Sequence, residues 1–262
     1  MTDTGRKVAF VTGATSGIGL AVTELLARQG VAVFGVARSA ENVAALVKRL
    51  REEEGLEVSG AAADVSSTEE VKAAVAAAVA EYGRIDVLVN NAGRGGGGET
   101  ATLEESLWLD VIDTNLNSVF RVTKEVLATG GMVERGWGRV ISIASTGGKQ
   151  GVALAAPYSA SKHGVVGFTK AVGIELAKTG VTVNAVCPGY VETPMAVKVR
   201  QGYAGHYGVT EQEIQEKFNA KIPLGRYSTP EEVAGLVGYL VTDTAASITA
   251  QALNVCGGLG NY

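Results

Sequence analysis

Tyr158 and Lys162 stand four residues apart in the stretch Pro157-Tyr-Ser-Ala-Ser-Lys-His-Gly. On a helix that spacing puts both side chains on one face. A free tyrosine has a pKa of about 10 and is a poor acid–base catalyst near neutrality. An ammonium beside it favours the phenolate and lowers that value. Ser145 ends the run Ile143-Ala-Ser145-Thr146, which reads as the close of a strand. There its hydroxyl is placed to hold a carbonyl oxygen next to the tyrosine. Together the three side chains suit proton transfer to or from a carbonyl oxygen. A Tyr-x-x-x-Lys pair also arises by chance on helices, so its weight comes from the serine and from a second motif near the amino terminus.

That motif is Thr12-Gly13-Ala14-Thr15-Ser16-Gly17-Ile18-Gly19, between an apolar strand and a helical pattern. Glycines let backbone approach a pyrophosphate closely, and the free amides of the following helix point at the charge. A tight turn with no ligand is the alternative reading. The spacing is G-x-x-x-G-x-G, not the commoner G-x-G-x-x-G. The next strand ends at Gly35-Val36-Ala37-Arg38-Ser39, where sites for NAD usually carry a carboxylate. Arg38 stands there instead, and a guanidinium matches a 2′-phosphate with a forked set of donors. The cofactor expected is therefore NADPH, against the alternative of a solvated arginine. Asp64 follows the third strand and Asn90-Asn91-Ala92-Gly93 the fourth, both at strand carboxyl ends, where open α/β sheets bind ligands.

The elements that must position these residues follow from the pattern. Short β-branched runs at 8–11, 31–36, 57–63, 85–90, 139–143, 181–186 and 252–255 read as seven strands. Helical stretches separate most of them, among them 17–28, 40–54 and 68–82. Apolar strands alternating with helices predict an α/β fold: a single Rossmann-type, doubly wound domain spanning 1–262, with a seven-stranded, mostly parallel sheet covered by helices on both faces. Residues 195–223 break the rhythm with QGYAGHYG and a polar helical stretch, and read as a lid-like insertion over the ligand edge. Its glycines Gly202, Gly205 and Gly208 read as hinges, and Tyr203 and Tyr207 as packing surfaces for a cyclic substrate.

Composition narrows the function classes. The chain has 262 residues, 46% hydrophobic and 19% charged, an ordinary globular balance for one large α/β domain. With a net charge of −4 and no run of Lys or Arg, nucleic acid is not the expected partner. No apolar stretch suits a membrane span and no signal-like segment opens the sequence, so a cytoplasmic protein is expected. Cys187 and Cys256 lack metal-like spacing and read as small buried apolar residues. His163 and His206 are isolated, and no metal is expected.

These motifs closely resemble the short-chain dehydrogenase/reductase family. T-G-x-x-x-G-I-G, N-N-A-G, Ser145, Tyr158-x-x-x-Lys162 and Pro188-Gly189 occur in family order across essentially the whole chain. The resemblance implies that Tyr158 is the general acid for carbonyl reduction, and that Ser145 orients the carbonyl. It also implies that Lys162 binds the nicotinamide ribose and lowers the tyrosine pKa. Asn115, in Asp113-Thr-Asn-Leu-Asn, would complete a tetrad supporting a water relay to Lys162; from the residues alone it is a polar side chain on a helix. The implied NADPH contacts are Gly13, Thr15, Ser16, Gly17, Ile18 and Gly19 at the turn and Arg38, Asp64 and Val65 at the adenosine end. Asn91, Ala92, Gly93, Tyr158, Lys162, Pro188, Gly189, Val191 and Thr193 complete the set.

Within the family, NNAGRGGGG, the segment from ASTGGKQG to IELA, NAVCPGYVETPM and TAQALNVCGGLGNY are similar to ketoreductases of bacterial type II, aromatic polyketide synthases. Such enzymes reduce one ketone, typically at C9, of a poly-β-ketone held by an acyl carrier protein. The resemblance implies substrate contacts at Gly95, Gly96, Gly97, Ser145, Thr146, Gln150, Tyr203 and Tyr207, and a homotetramer. Related loops usually carry Pro just after the arginine, where this chain has Gly95. Two other readings remain open: a β-ketoacyl carrier-protein reductase of fatty acid synthesis, and a dinucleotide-binding protein without catalysis.

Overall fold

The computed structural model describes residues 5–262. β-branched, buried segments form seven strands: β1 (Val8–Thr12), β2 (Ala32–Ala37), β3 (Val58–Ala62), β4 (Val87–Asn90), β5 (Gly138–Ile143), β6 (Val181–Pro188) and β7 (Ala252–Val255). They make one sheet in the order β3-β2-β1-β4-β5-β6-β7, and every pairing is parallel. Parallel neighbours need long crossovers, which the helices supply. These are α1 (Gly17–Arg28), α2 (Ala40–Val47), α3 (Thr68–Tyr82), α4 (Glu105–Ile112), α5 (Ser118–Thr129), α6 (Ala156–Glu175), α7 (Pro194–Tyr207), α8 (Glu211–Asn219) and α9 (Pro230–Leu240). The strand order reverses between β1 and β4, which opens the crevice that doubly wound folds use for ligands.

Two cores flank the sheet. On one face Val22 and Leu26 of α1 and Val233, Val237 and Leu240 of α9 pack over Val11, Val33 and Val89. The two helices touch so closely that a Cβ on Gly238 would come within 2.9 Å of Leu25. On the other face Val71, Val75 and Ala78 of α3 and Val122 and Val126 of α5 cover Phe10, Phe34 and Leu88. Ser39 and Ser67 cap α2 and α3 through their side chains, whereas Ser16 at the start of α1 makes no side-chain cap.

Two local features differ from the sequence reading. The helix expected over 40–54 stays α-helical only to Val47 and continues as a wider π-helical turn, Lys48–Glu53. The segment QGYAGHYG lies mostly inside α7, so Gly202 and Gly205 are helix-interior residues, not hinges; backbone hydrogen bonds within the helix remove the freedom a hinge needs. Gly208 alone, at φ +65°, takes a left-handed conformation and ends the helix. The last segment, 256–262, folds back over β7 towards the loop after β5.

Candidate active site

Thr12 closes β1 and begins the glycine turn. Its hydroxyl accepts from the amides of Asn91 and Ala92, both at 3.0 Å, and so joins the ends of β1 and β4. The Asn91 carboxamide donates to the carbonyls of Thr12 (2.9 Å) and Gly13 (3.2 Å). The side-chain amide of Asn91, a residue expected at the cofactor, thus also braces the turn. Gly13 and Gly17 lie at φ +65° and +51°, where a side chain is strained. A Cβ on Gly19 would drive into the Gly13 carbonyl and the Asn91 amide nitrogen. A Cβ on Gly17 would come within 3.1 Å of Thr193, which caps α7 by accepting from the Ala196 amide. Ile18 packs into the α1 core, and Thr15 and Ser16 keep free hydroxyls, among the described residues, at the uncapped helix start. This cradle of bare backbone before an uncapped helix has the form a dinucleotide pyrophosphate requires.

At the end of β2, Arg38 is exposed and forms no hydrogen bond or ion pair among the described residues. Burial alone would raise the Asp64 carboxyl, but hydrogen bonds from the Ser66 hydroxyl and amide, aided by the Arg38 charge, hold it below its ordinary value. Val65 is buried beside it. A free guanidinium at this rim fits a 2′-phosphate. Pro188 ends β6, Gly189 donates to the Val255 carbonyl, and Val191 bridges to Ser228, which fixes the loop leading to Thr193.

The reactive trio gathers at the carboxyl ends of β5 and β6. Ser145 caps a short helical turn, Thr146–Gly148, by accepting from the Gly147 amide at 2.9 Å. Tyr158 and Lys162 lie one turn apart on α6, with Nζ 5.9 Å from the tyrosine ring centre. Lys162 is buried, and its Nζ donates to the Ile143 carbonyl at 2.8 Å. Burial pulls the lysine down to about 8. Burial also pushes the Tyr158 phenol above its ordinary value, opposed by its hydrogen bond with Ser145. Burial thus sets the direction of the phenol's shift, while the Lys162 ammonium, one turn away, is turned to the Ile143 carbonyl. A Cβ on Gly147 would come within 3.3–3.4 Å of both Ser145 Oγ and the tyrosine ring, so glycine there leaves the space before the pair open.

Asn115 sits, fully buried, in a π-helical turn between α4 and α5. Its Oδ1 accepts from the Arg94 amide at 2.8 Å, and its Nδ2 donates to the Arg94 carbonyl (3.0 Å) and to Ser161 Oγ (3.1 Å). The side chain is therefore a clamp between the loop after β4 and α6. Gly93 lies between it and Lys162: a Cβ there would be 3.2 Å from Asn115 Oδ1 and 3.7 Å from Nζ. Arg94 pairs with Asp110 on α4.

The expected substrate residues divide into two groups. Gly96 and Gly97 are pressed against α4 and the Leu154–Ala155 backbone, with no room for a side chain, whereas Gly95 faces Val199 of α7 with space to spare. Thr146 is buried and Gln150 half-buried on the turn after Ser145. Tyr203 crosses from α7 and donates its hydroxyl to the Ala153 carbonyl at 2.6 Å, while its ring stacks on Tyr207 at 6.1 Å. Tyr207 is half exposed. Thr12, Ser161 and Lys149 were not singled out by the sequence reading. Thr12 and Ser161 do lie inside its motifs, but their bonds to residues 91 and 115 are long-range and leave no local signal. Among the described residues, no helix is long and apolar enough to cross a membrane, and no group of His, Cys, Asp or Glu could hold a metal ion.

Comparison with known proteins agrees with this geometry. The chain is 70% identical, over all 262 residues and the whole of the relative, to a Streptomyces virginiae protein named as a ketoacyl reductase of a monensin polyketide synthase. It is 61% identical to one from Streptomyces coelicolor named as a ketoacyl reductase, over 98% of each chain. A crystal structure of a single-substitution variant of actinorhodin polyketide ketoreductase with NADPH superposes with a TM-score of 0.96 at 60% identity, covering all of both chains. Residues 7–204 match the family model described as short chain dehydrogenase. With its parallel sheet, its glycine cradle and its Ser145–Tyr158–Lys162 cluster, the chain belongs to the short-chain dehydrogenase family.

Proposed function

We propose that the protein is an NADPH-dependent ketoreductase that reduces one ketone, at C9, of a carrier-protein-bound aromatic polyketide intermediate to an alcohol. The observation that carries the reading is the convergence of Ser145, Tyr158 and Lys162 at the sheet edge that also holds the glycine cradle. The names and high identity of the relatives support the substrate class. Glycines 13, 17 and 19 and the start of α1 would hold the pyrophosphate, and Arg38 the 2′-phosphate. Ala92, Gly93 and residues 188–193 would line the nicotinamide side. When bound, NADPH supplies hydride to the carbonyl carbon.

The chain's own residues handle the oxygen. Ser145 donates a hydrogen bond to the ketone oxygen and holds it beside the tyrosine. Tyr158 passes its phenolic proton to that oxygen as negative charge develops, so the product leaves as a neutral alcohol and the tyrosine as phenolate. A phenol held above its ordinary pKa is fully protonated at neutral pH, which is the state a general acid needs. Lys162 has a pKa of about 8 and stays largely cationic at pH 7, so it steadies the phenolate left behind. Asn115 keeps the Arg94 loop in register with α6.

A cytoplasmic homotetramer is part of the same proposal. Association of subunits draws support from the exposed apolar side chains Leu109, Phe120 and Ile174, which are 52–73% accessible in the single chain. The lid tyrosines are proposed to shape the pocket: Tyr203 by bridging α7 to Ala153, and Tyr207 from its exposed position. The test is NADPH oxidation with a bicyclic ketone such as a decalone, set against a linear β-ketoacyl thioester. A preformed ring lowers the entropy of fixing one carbonyl, so the bicyclic ketone should turn over faster. Tyr203→Ala should change that ratio more than it changes NADPH affinity. Preference for the thioester would instead assign the protein to fatty-acid β-ketoacyl reduction.

A further inference from the structure

Lys149 directly follows the turn that Ser145 caps. Its Nζ donates to three acceptors: the carbonyl of Ala252 (3.0 Å), Oδ1 of Asn254 (2.9 Å) and the carbonyl of Tyr262 (3.1 Å). An ammonium has three N–H groups, so all are used, and all go to one distant segment. The Tyr262 ring lies 5.3 Å from Nζ, and its hydroxyl donates to the Thr146 carbonyl at 3.4 Å. The segment thus grips both ends of the Thr146–Lys149 turn. The opposite side is closed by α6, where a Cβ on Gly148 would come within 2.6 Å of the Lys162 carbonyl. The same segment also holds the base of the lid. The Leu224 amide donates to the Gly257 carbonyl at 3.1 Å, and a Cβ on Gly257 would come within 2.8 Å of Ile222.

We infer that Lys149, seconded by Tyr262, is a positioning residue: it fastens the Ser145–Gln150 loop to residues 252–262, so that Ser145 Oγ and the pocket wall at Thr146 and Gln150 stay aligned with Tyr158 and with the lid base. Lys149 touches no reacting atom and acts through Ser145. The inference rests on the ketoreductase reading above. Without the tether the turn keeps its Ser145–Gly147 bond but loses its outer support, and small misplacements of a carbonyl-holding group slow the reaction steeply.

The test compares Lys149→Met, Lys149→Arg and Tyr262→Ala with the wild type in decalone reduction. Turnover is divided by the number of NADPH-binding sites, measured by fluorescence titration, so that an unfolded fraction does not count as slow catalysis. Lys149→Met should lower kcat about tenfold with the NADPH Kd unchanged. Tyr262→Ala should lower it less. Lys149→Arg, which keeps the charge and several N–H donors, should recover most of the loss. Wild-type kcat in both Lys149→Met and Tyr262→Ala would overturn the inference and leave the ketoreductase reading intact. An NADPH Kd that weakens in step with kcat, or an arginine variant no better than methionine, would overturn it as well. A wild-type enzyme inert towards ketones would overturn the reading beneath it and the inference together.

Discussion

Replacing Gly19 by alanine is a sharp test of the cofactor cradle, because one methyl group must displace two fixed groups. Its Cβ points into the Gly13 carbonyl and the Asn91 side-chain nitrogen, neither of which is the loose end of a flexible chain. Relief requires the turn to open, and opening stretches the Asn91 bonds to Thr12 and Gly13, now 2.9 and 3.2 Å. Overpacking of this kind costs about 1–3 kcal/mol, and each neutral hydrogen bond about 1 kcal/mol. A total of about 3 kcal/mol corresponds to a fall in Tm of roughly 6–12 °C for a domain of this size. The same opening moves the amides at the start of α1 away from the pyrophosphate. Losing one charge-assisted hydrogen bond, about 1.5–3 kcal/mol, weakens NADPH binding by about 10- to 150-fold. Calorimetric melting and fluorescence titration with NADPH measure both effects. Gly205→Ala is the control. Its Cβ meets nothing within 4 Å, and it lies inside α7, so alanine there should raise stability by about 0.5–1 kcal/mol. A Gly19→Ala protein with Tm within 1–2 °C of wild type and an unchanged NADPH Kd would refute the argument.

Tyr158→Phe keeps the ring and removes the proton donor, so turnover should fall at least about 10²-fold while NADPH still binds; near-normal turnover in a step limited by chemistry would end the assignment. Arg38→Asp exchanges a fork for 2′-phosphate with a repulsion, and the ratio of kcat/KM for NADPH over NADH should collapse. A wild type equally efficient with both cofactors would contradict it. Lys162 carries a pH signature in the cofactor-free protein. Its folded pKa of about 8 lies below its ordinary 10.5, so between these values the unfolded chain holds more protons and stability rises with pH. Below 8 the burial penalty is complete. Lys162→Met should therefore melt above wild type at pH 7, with the margin shrinking as pH rises towards 10. A margin that stays constant over that range would show that the buried charge is not its source.

Much of the architecture was legible because its signals are local. All seven strands lie where β-branched runs alternate with helical patterns, and α1 and α3 span the 17–28 and 68–82 stretches expected for them. The gathering of Ser145, Tyr158 and Lys162 was legible too, since two of them share a helix turn and the third sits at a strand end. What the sequence hid depends on partners far along the chain. The bracing role of the Asn91 amide rests on its bonds to Thr12 and Gly13, about 80 positions away. Gly202 and Gly205 look like hinges until α7 encloses them. The direction of the Tyr158 shift depends on how deeply the phenol is buried, which no spacing encodes.

The packing of α1 against α9 has a consequence for how the chain is made. α1 follows the glycine turn, yet the apolar residues of α9 that pack beside it, Val233, Val237 and Leu240, come about 200 positions later in the chain. At ordinary elongation rates that interval lasts on the order of 10–40 s. Throughout it Val22 and Leu26 have no native cover on that side, and they form a sticky surface that a chaperone can hold. The cofactor cradle is thus made well before the helix that completes its support. A nascent chain arrested before residue 230 should remain protease-sensitive around α1 and fail to retain NADPH, even though every residue of the Gly13–Gly19 turn, Ser145, Tyr158 and Lys162 is already present.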